Sequence, residues 1–239
     1  MSWFLLGIRS GIRTERYAAN APAPAGATPG FPHETRFETT DDAAGNQARC
    51  PTGAIHAQGD VATVNRDRCI HCMRCASCDG SAAMEWKVDY NWAHGTDGVD
   101  TLPAAFHGSL HVRVIDAGDC GACLNEIAHL SDPFYNAHRH GIFITPTPRH
   151  ADVLLVVGPV TQQMRAELAT AYEAMPEPKR VVAIGACAVS GGIFGPSVMC
   201  AAGASSVVPV DIFVPGCPPP PLAIVHALLG VCESKPLER

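Results

Sequence analysis

Charge is scarce in this sequence: Asp, Glu, Lys and Arg make up 17% of its 239 residues, against about 25% in ordinary soluble domains. So little charge implies that part of the surface is covered by something other than water. Nor is there a surplus of basic residues. A formal net charge of −6 removes the basic face that a nucleic-acid binder needs. No stretch reaches the ~18–20 consecutive apolar residues of a transmembrane helix. The opening MSWFLLGIRSGIRTERY lacks a small-residue cleavage site and is not read as a secretory signal. Neither G-x-G-x-x-G nor G-x4-G-K-S/T occurs, which argues against nucleotide binding by this chain. Charged heptads and periodic Gly or Pro are also missing, so coiled-coil, collagen and mucin readings fail.

What the chain does have is cysteine. Eleven of them, an odd number, fit metal ligation better than a disulfide framework. The length suffices for one large or two ordinary domains. Residues 1–17 read as an amphipathic docking helix: Phe4, Ile8 and Ile12 repeat at helical spacing, with Arg9, Arg13 and Arg16 on the neighbouring face. Such a helix lies on an interface or a partner, or packs on its own domain; both stay open. The Pro/Ala/Gly-rich stretch 18–34 is a linker. A small first domain over 35–104 carries five cysteines, and a larger one over 105–239 carries six. In the second, LHVRVID, GIFIT, DVLLVVG, RVVAIG and VPVDIFV are short apolar runs suited to buried parallel strands. TQQMRAELATAYEAM between two of them reads as a helix. The alternation predicts an α/β domain, a flavodoxin-like doubly wound parallel sheet.

The first cysteine group centres on Cys69, Cys72 and Cys75, spaced C-x2-C-x2-C. Three thiolates so close suit three corners of one iron–sulfur cube, whereas zinc sites use separated C-x2-C pairs. In ferredoxin-type domains the fourth ligand is a distant Cys-Pro, and Cys50-Pro51 lies nineteen residues upstream of Cys69. CPTGAI, VATVNRD and CIHCMRC in this order resemble the second half of a bacterial ferredoxin. The first half departs from that pattern, since residues 35–49 contain no cysteine. One [4Fe-4S] cluster in a small ferredoxin-like α+β domain is therefore expected. Cys78 follows Cys75 at x2 instead of x3 and is not followed by proline, so it reads as a thiol outside the ligand set.

In the second group, Cys120-Gly-Ala-Cys123 follows one expected strand, Cys187 a second and Cys217 a third. Ligands of open α/β sheets gather outside the carboxyl ends of the strands. Four thiolates thus meet at one crevice, a donor set for a cubane or a zinc ion. Taken alone, Cys120 and Cys123 also read as a redox dithiol. Cys200 and Cys232 lack partner spacing and read as buried structural thiols.

CGACLNEI, DPFYNAHRHGI, TPRHADVLLVVGPVT, IGACAVSGGIFG and VPGCPPPP, in that order, resemble the small electron-transfer subunits shared by [NiFe]-hydrogenases and respiratory complex I. The likeness spans about residues 108–231. The separated pair Cys120 and Cys123 is similar to hydrogenases, where complex I subunits have adjacent cysteines; GPVT and GACAVSGG look like energy-converting hydrogenases and formate hydrogenlyases. The resemblance implies that Cys120, Cys123, Cys187 and Cys217 bind the [4Fe-4S] cluster nearest a large catalytic subunit. It also implies a place at the cytoplasmic face of the membrane, peripheral to it. Where the family has Tyr-Asp-x-Glu-Arg-Phe-Gly-Ile, this chain runs from Tyr135 to Ile142 with His138 and His140 in place of the glutamate and phenylalanine, and Asn136 in place of the aspartate. Glu126 keeps the family's acid; it reads as a proton relay, or as an acid in the first helical turn favoured by the dipole.

The expected function is an oxidoreductase subunit with two [4Fe-4S] clusters, relaying electrons between a carrier and a large [NiFe]-hydrogenase-like subunit. Membrane subunits and further ferredoxin-like subunits are the expected partners. A complex I-like quinone oxidoreductase subunit without a nickel partner is the alternative. A zinc or thiol-redox scaffold is the alternative of another class.

Overall fold

The computed structural model describes residues 3–10, 26–77, 83–96 and 101–232. Helix α1 (Trp3–Ser10) comes first. Strand β1 (Phe31–Pro32) follows, then β2 (Thr35–Arg36), α2 (Thr40–Arg49), and the hairpin β3 (Ile55–Gln58) and β4 (Val61–Val64). Strands β5 (Trp86–Lys87) and β6 (His94–Gly95) lead into the larger part. There β7 (Leu110–Asp116), α3 (Ala122–Ala128), β8 (Ile142–Ile144), β9 (Val153–Val157) and α4 (Arg165–Glu173) precede β10 (Arg180–Ile184), α5 (Gly185–Ser190), β11 (Ile212–Val214) and α6 (Pro221–Cys232).

The main sheet has six strands in the order β6-β11-β10-β9-β7-β8. All its pairings are parallel except that of the edge strand β6 with β11. Counted along the chain, its parallel strands lie in the order 2-1-3-4-5, the flavodoxin-like arrangement. Every side chain of β9 is buried, as the unbroken run VLLVV requires of a central strand covered on both faces. Alternation sends Val153, Leu155 and Val157 to one core with α3 and α6, and Leu154 and Val156 to another with α4 and α5. The sheet is therefore wound on both sides, as expected.

The smaller unit is a three-stranded antiparallel sheet, β2-β4-β3, packed against α2. Its own core joins Phe37, Ala43, Ile55, Ala62, Cys75 and Met84. Thr39 accepts from the Asp42 amide and caps α2.

Three sequence expectations need correction. The linker 18–34 is not slack along its described part, 26–34: β1 pairs with β5, and Phe31 is wholly buried in the main core. A single phenylalanine with a packing site defeats the Pro/Gly composition. The boundary after residue 104 is also too late, because Trp92 and Leu102 belong to the main core and β6 to the main sheet. VPVDIFV forms a strand only over Ile212–Val214. Along α1, Phe4, Leu5, Leu6 and Ile8 are all more than half exposed. Ile12, Arg13, Arg16 and residues 18–25 lie outside the described residues. Among the described residues, no helix is long and apolar enough to cross a membrane.

Candidate iron–sulfur sites

Cys120 and Cys123 follow β7, Cys187 sits in the first turn of α5 after β10, and Cys217 follows β11. The ends of β7, β10 and β11, the first separated from the other two by β9, thus carry the four thiols on the same side of the sheet. Cys123 is buried, Cys187 half-buried, Cys120 and Cys217 exposed. Burial pushes the Cys123 thiol up, reinforced by Asp119 and by the other three cysteines. Burial and the same neighbours push Cys187 up to about 11, and raise Cys217. Left alone, these crowded thiols keep their protons; a cationic core would displace them and turn mutual repulsion into ligation.

The backbone leaves room for such a core. Gly185 has φ +88, and a Cβ there would stand 2.6 Å from Cys123 Sγ. Gly192 has φ +55, and its Cβ would stand 2.8 Å from Cys187 Sγ. Both positions need the left-handed backbone and the bare Cα that only glycine supplies without strain. The crevice is a cradle that one methyl group would begin to fill.

The helix end beside this crevice is already occupied. Asp119 Oδ2 accepts from the amides of Gly121 (3.0 Å) and Leu124 (3.2 Å). A carboxylate therefore takes α3's leading N–H groups and adds negative charge beside the thiols. The adjacent pair Asp119-Cys120 was visible in the sequence but its role was not.

The other cysteines converge separately. Cys50, Cys69, Cys72 and Cys75 line one recess together with His71 and Met73. Around Cys50 the CPTGAI turn wraps its donors: Ala54 N lies 3.2 Å from Cys50 Sγ and Thr52 Oγ1 3.8 Å. Burial alone would raise this thiol, yet the donors bring it below its ordinary value. Cys69 is pushed up to about 12 by burial, with Cys75, Cys50 and Cys72 adding repulsion. Cys75 is raised by burial, while the Trp86 indole favours its charged form. The Trp86 Nε1 atom is buried and without a hydrogen-bond partner of normal geometry, an orphan donor beside the sulfur. The chemistry of this recess fits a sulfur-bound anionic group.

His71 lies between the two sites. Its Nδ1 accepts from Cys217 N at 3.2 Å, and its Nε2 faces Gly30 O at 3.1 Å. Burial lowers its pKa to about 4, so the ring is neutral at physiological pH. Ser190 Oγ of α5 donates to Asp67 O at 2.7 Å and locks the same two regions together.

Glu126 falls in the second turn of α3, not the first, so the helix dipole does not explain it. Burial raises its pKa; burial also raises Tyr135, with the Glu126 and Asp132 charges adding to it. Asn136 takes a left-handed conformation and His138 stacks on Phe143 at 5.6 Å, so the altered stretch is a packed turn. Cys232 is buried as expected; Cys200 is only half-buried, with its amide donating to Ser197. Cys78 lies outside the described residues. Ile193, Phe194, Val198 and Met199, beyond Cys187, are exposed large apolar residues.

The profile of the NADH ubiquinone oxidoreductase, 20 Kd subunit family matches residues 120–231. An uncharacterised protein of Methanocaldococcus jannaschii is 48% identical over 126 residues, 53% of this chain and 84% of that protein. A probable membrane-bound hydrogenase subunit of Pyrococcus furiosus is 45% identical over 120 residues, 50% of this chain and 72% of that protein. Formate hydrogenlyase subunit 7 of Escherichia coli is 42% identical over 130 residues, 53% of this chain and 51% of that protein.

Proposed function

This chain belongs to the family of the 20 Kd subunit of NADH ubiquinone oxidoreductase, and on that membership we propose that it is the electron-relay subunit of a membrane-associated [NiFe]-hydrogenase-like complex. The observation that carries the proposal is the delivery of Cys120, Cys123, Cys187 and Cys217 to one crevice by three strand ends and α3. Cys50, Cys69, Cys72 and Cys75 form the first ligand set and the four cysteines of that crevice the second, and each set is the expected holder of one [4Fe-4S] cluster. Bound there, such clusters take up and release electrons one at a time.

The protein's own residues do the rest. Gly185 and Gly192 clear space against the sulfurs, and Asp119 biases the second site toward a lower potential through its charge. The Ala54 and Thr52 donors stabilise the Cys50 thiolate. Glu126, pushed toward neutrality by burial, is the proposed proton-relay acid on the side that docks the large subunit. The exposed residues Ile193 to Met199 supply apolar surface for that docking. Helix α1 provides peripheral attachment at the cytoplasmic face.

A single zinc ion is the other occupant that four thiolates suit. Anaerobic purification with metal and sulfide analysis tests the proposal: about eight irons and eight labile sulfides per chain are expected. Stoichiometric zinc, or a reversible Cys120–Cys123 disulfide without iron, would replace the relay by a scaffold. Iron in full measure beside a large subunit without nickel, with quinone reduction, would move the chain to the complex I-like alternative.

A further inference from the structure

The residue between Cys69 and Cys72 that sequence spacing leaves unassigned makes a contact that no ligand makes. His71 is fixed from all sides. Its ring stacks on Trp92 (centroids 5.1 Å apart, planes 20° apart) and meets the Phe31 ring edge-on at 4.3 Å. Its backbone is left-handed, φ +50, a conformation in which His and Asn are enriched among non-glycine residues. Strained backbone persists only where the surroundings over-determine it.

The hydrogen bonds assign the tautomer. Cys217 N can only donate, so Nδ1 accepts; the proton then sits on Nε2, which donates to Gly30 O. One imidazole thus joins the backbone of the first cysteine loop to the amide of a second-site cysteine. A ring needed only to fill the space between Trp92 and Phe31 would be as well served by Phe or Leu. What imidazole adds is an acceptor aimed at Cys217.

We propose that His71 is the bridging residue through which electrons pass between the two cysteine sites, an inference that rests on both sites holding clusters. The route runs from Cys72 through the His71 main chain and ring, across one hydrogen bond, to Cys217 N and along its side chain to Sγ. Electron tunnelling decays more slowly along covalent bonds and hydrogen bonds than across gaps. One electron leaves the reduced group at Cys50, Cys69, Cys72 and Cys75 and reduces the oxidised group at Cys120, Cys123, Cys187 and Cys217. No bond forms or breaks, and His71 keeps its Nε2 proton throughout.

The test uses the full chain in its purified complex. The first site is photoreduced by an external sensitiser, and reduction of the second is followed by freeze-quench EPR. In His71→Leu, iron content and both EPR signals should persist while the inter-site rate falls well below that of the wild type. His71→Asn places an amide oxygen near the Nδ1 position and tolerates the left-handed backbone, so it should restore most of the rate. If His71→Leu loses first-site iron, His71→Gln, whose amide stands one methylene further out, takes its place with the same expected slowing. A wild-type rate in the Leu variant overturns the bridge. So does an Asn variant as slow as Leu, which would reduce His71 to packing. A wild-type complex lacking iron at either site overturns the two-cluster reading itself, and the bridge with it.

Discussion

Adding one methyl group at Gly185 should damage the second site out of proportion to its size. In Gly185→Ala the new Cβ would stand 2.6 Å from Cys123 Sγ, 3.5 Å from Gly216 O and 3.9 Å from Pro219 Cδ. It therefore collides with a ligand on α3 and presses on the loop that carries Cys217, from a position two residues ahead of Cys187. Two penalties add. A left-handed conformation costs a non-glycine residue about 1–2 kcal/mol. Overpacking a filled interior costs about 1–3 kcal/mol. The sum, about 2–5 kcal/mol, is a large share of the ~5–15 kcal/mol that holds a native protein together. At about 2–4 °C per kcal/mol for a chain of this length, the melting temperature should drop by roughly 5–20 °C. Iron should fall by about half, from the second site alone. The control is Gly121→Ala: φ there is +94, but the added Cβ meets nothing within 4 Å. It should pay the backbone penalty only, lowering the melting temperature by a few degrees with iron retained. Calorimetry and iron analysis on the two variants separate clash from strain. Equal iron in Gly185→Ala and wild type would refute the placement of the metal core against this backbone.

Three further outcomes follow from the same geometry. Cys50→Ser should lose the first-site EPR signal and keep the second, while Cys78→Ser keeps both; the reverse pattern would overturn the ligand assignment. Removing residues 1–17 should leave iron content unchanged and release the chain from the membrane fraction, since four exposed apolar residues of α1 each gain up to about 1.5–3 kcal/mol when buried on a partner or lipid surface; loss of iron would instead place the segment in the core. Glu126 has its folded-state pKa raised, so its charge opposes folding above that pKa and the opposition vanishes as pH falls below its unfolded value. Glu126→Gln should therefore be at least as stable as wild type at neutral pH by thermal melting, with both clusters intact and hydrogen turnover reduced; undiminished turnover would remove Glu126 from the proton path.

The parallel sheet was legible because central strands covered on both faces need unbroken apolar runs. DVLLVVG and RVVAIG announce themselves, and both form where expected. The edges were not legible. His94–Gly95 contributes two residues to the main sheet, too few for any periodicity to reveal. Phe31 was hidden in a Pro/Gly-rich stretch whose composition reports the absence of helix, not of burial. Its packing against His71 and Trp92 is decided by residues far along the chain.

The grouping of the thiols was legible for a geometric reason: short spacing or a strand end brings cysteines close locally. His71 shows where this logic stops. C-x2-C fixes the cysteines and says nothing of the residue between them, whose ring must choose a direction. Here Trp92, Gly30 and Cys217 come from three different segments to receive it. A spacing motif can specify two separate metal sites. Whether they act as one wire depends on what lies between them, which only the folded chain supplies.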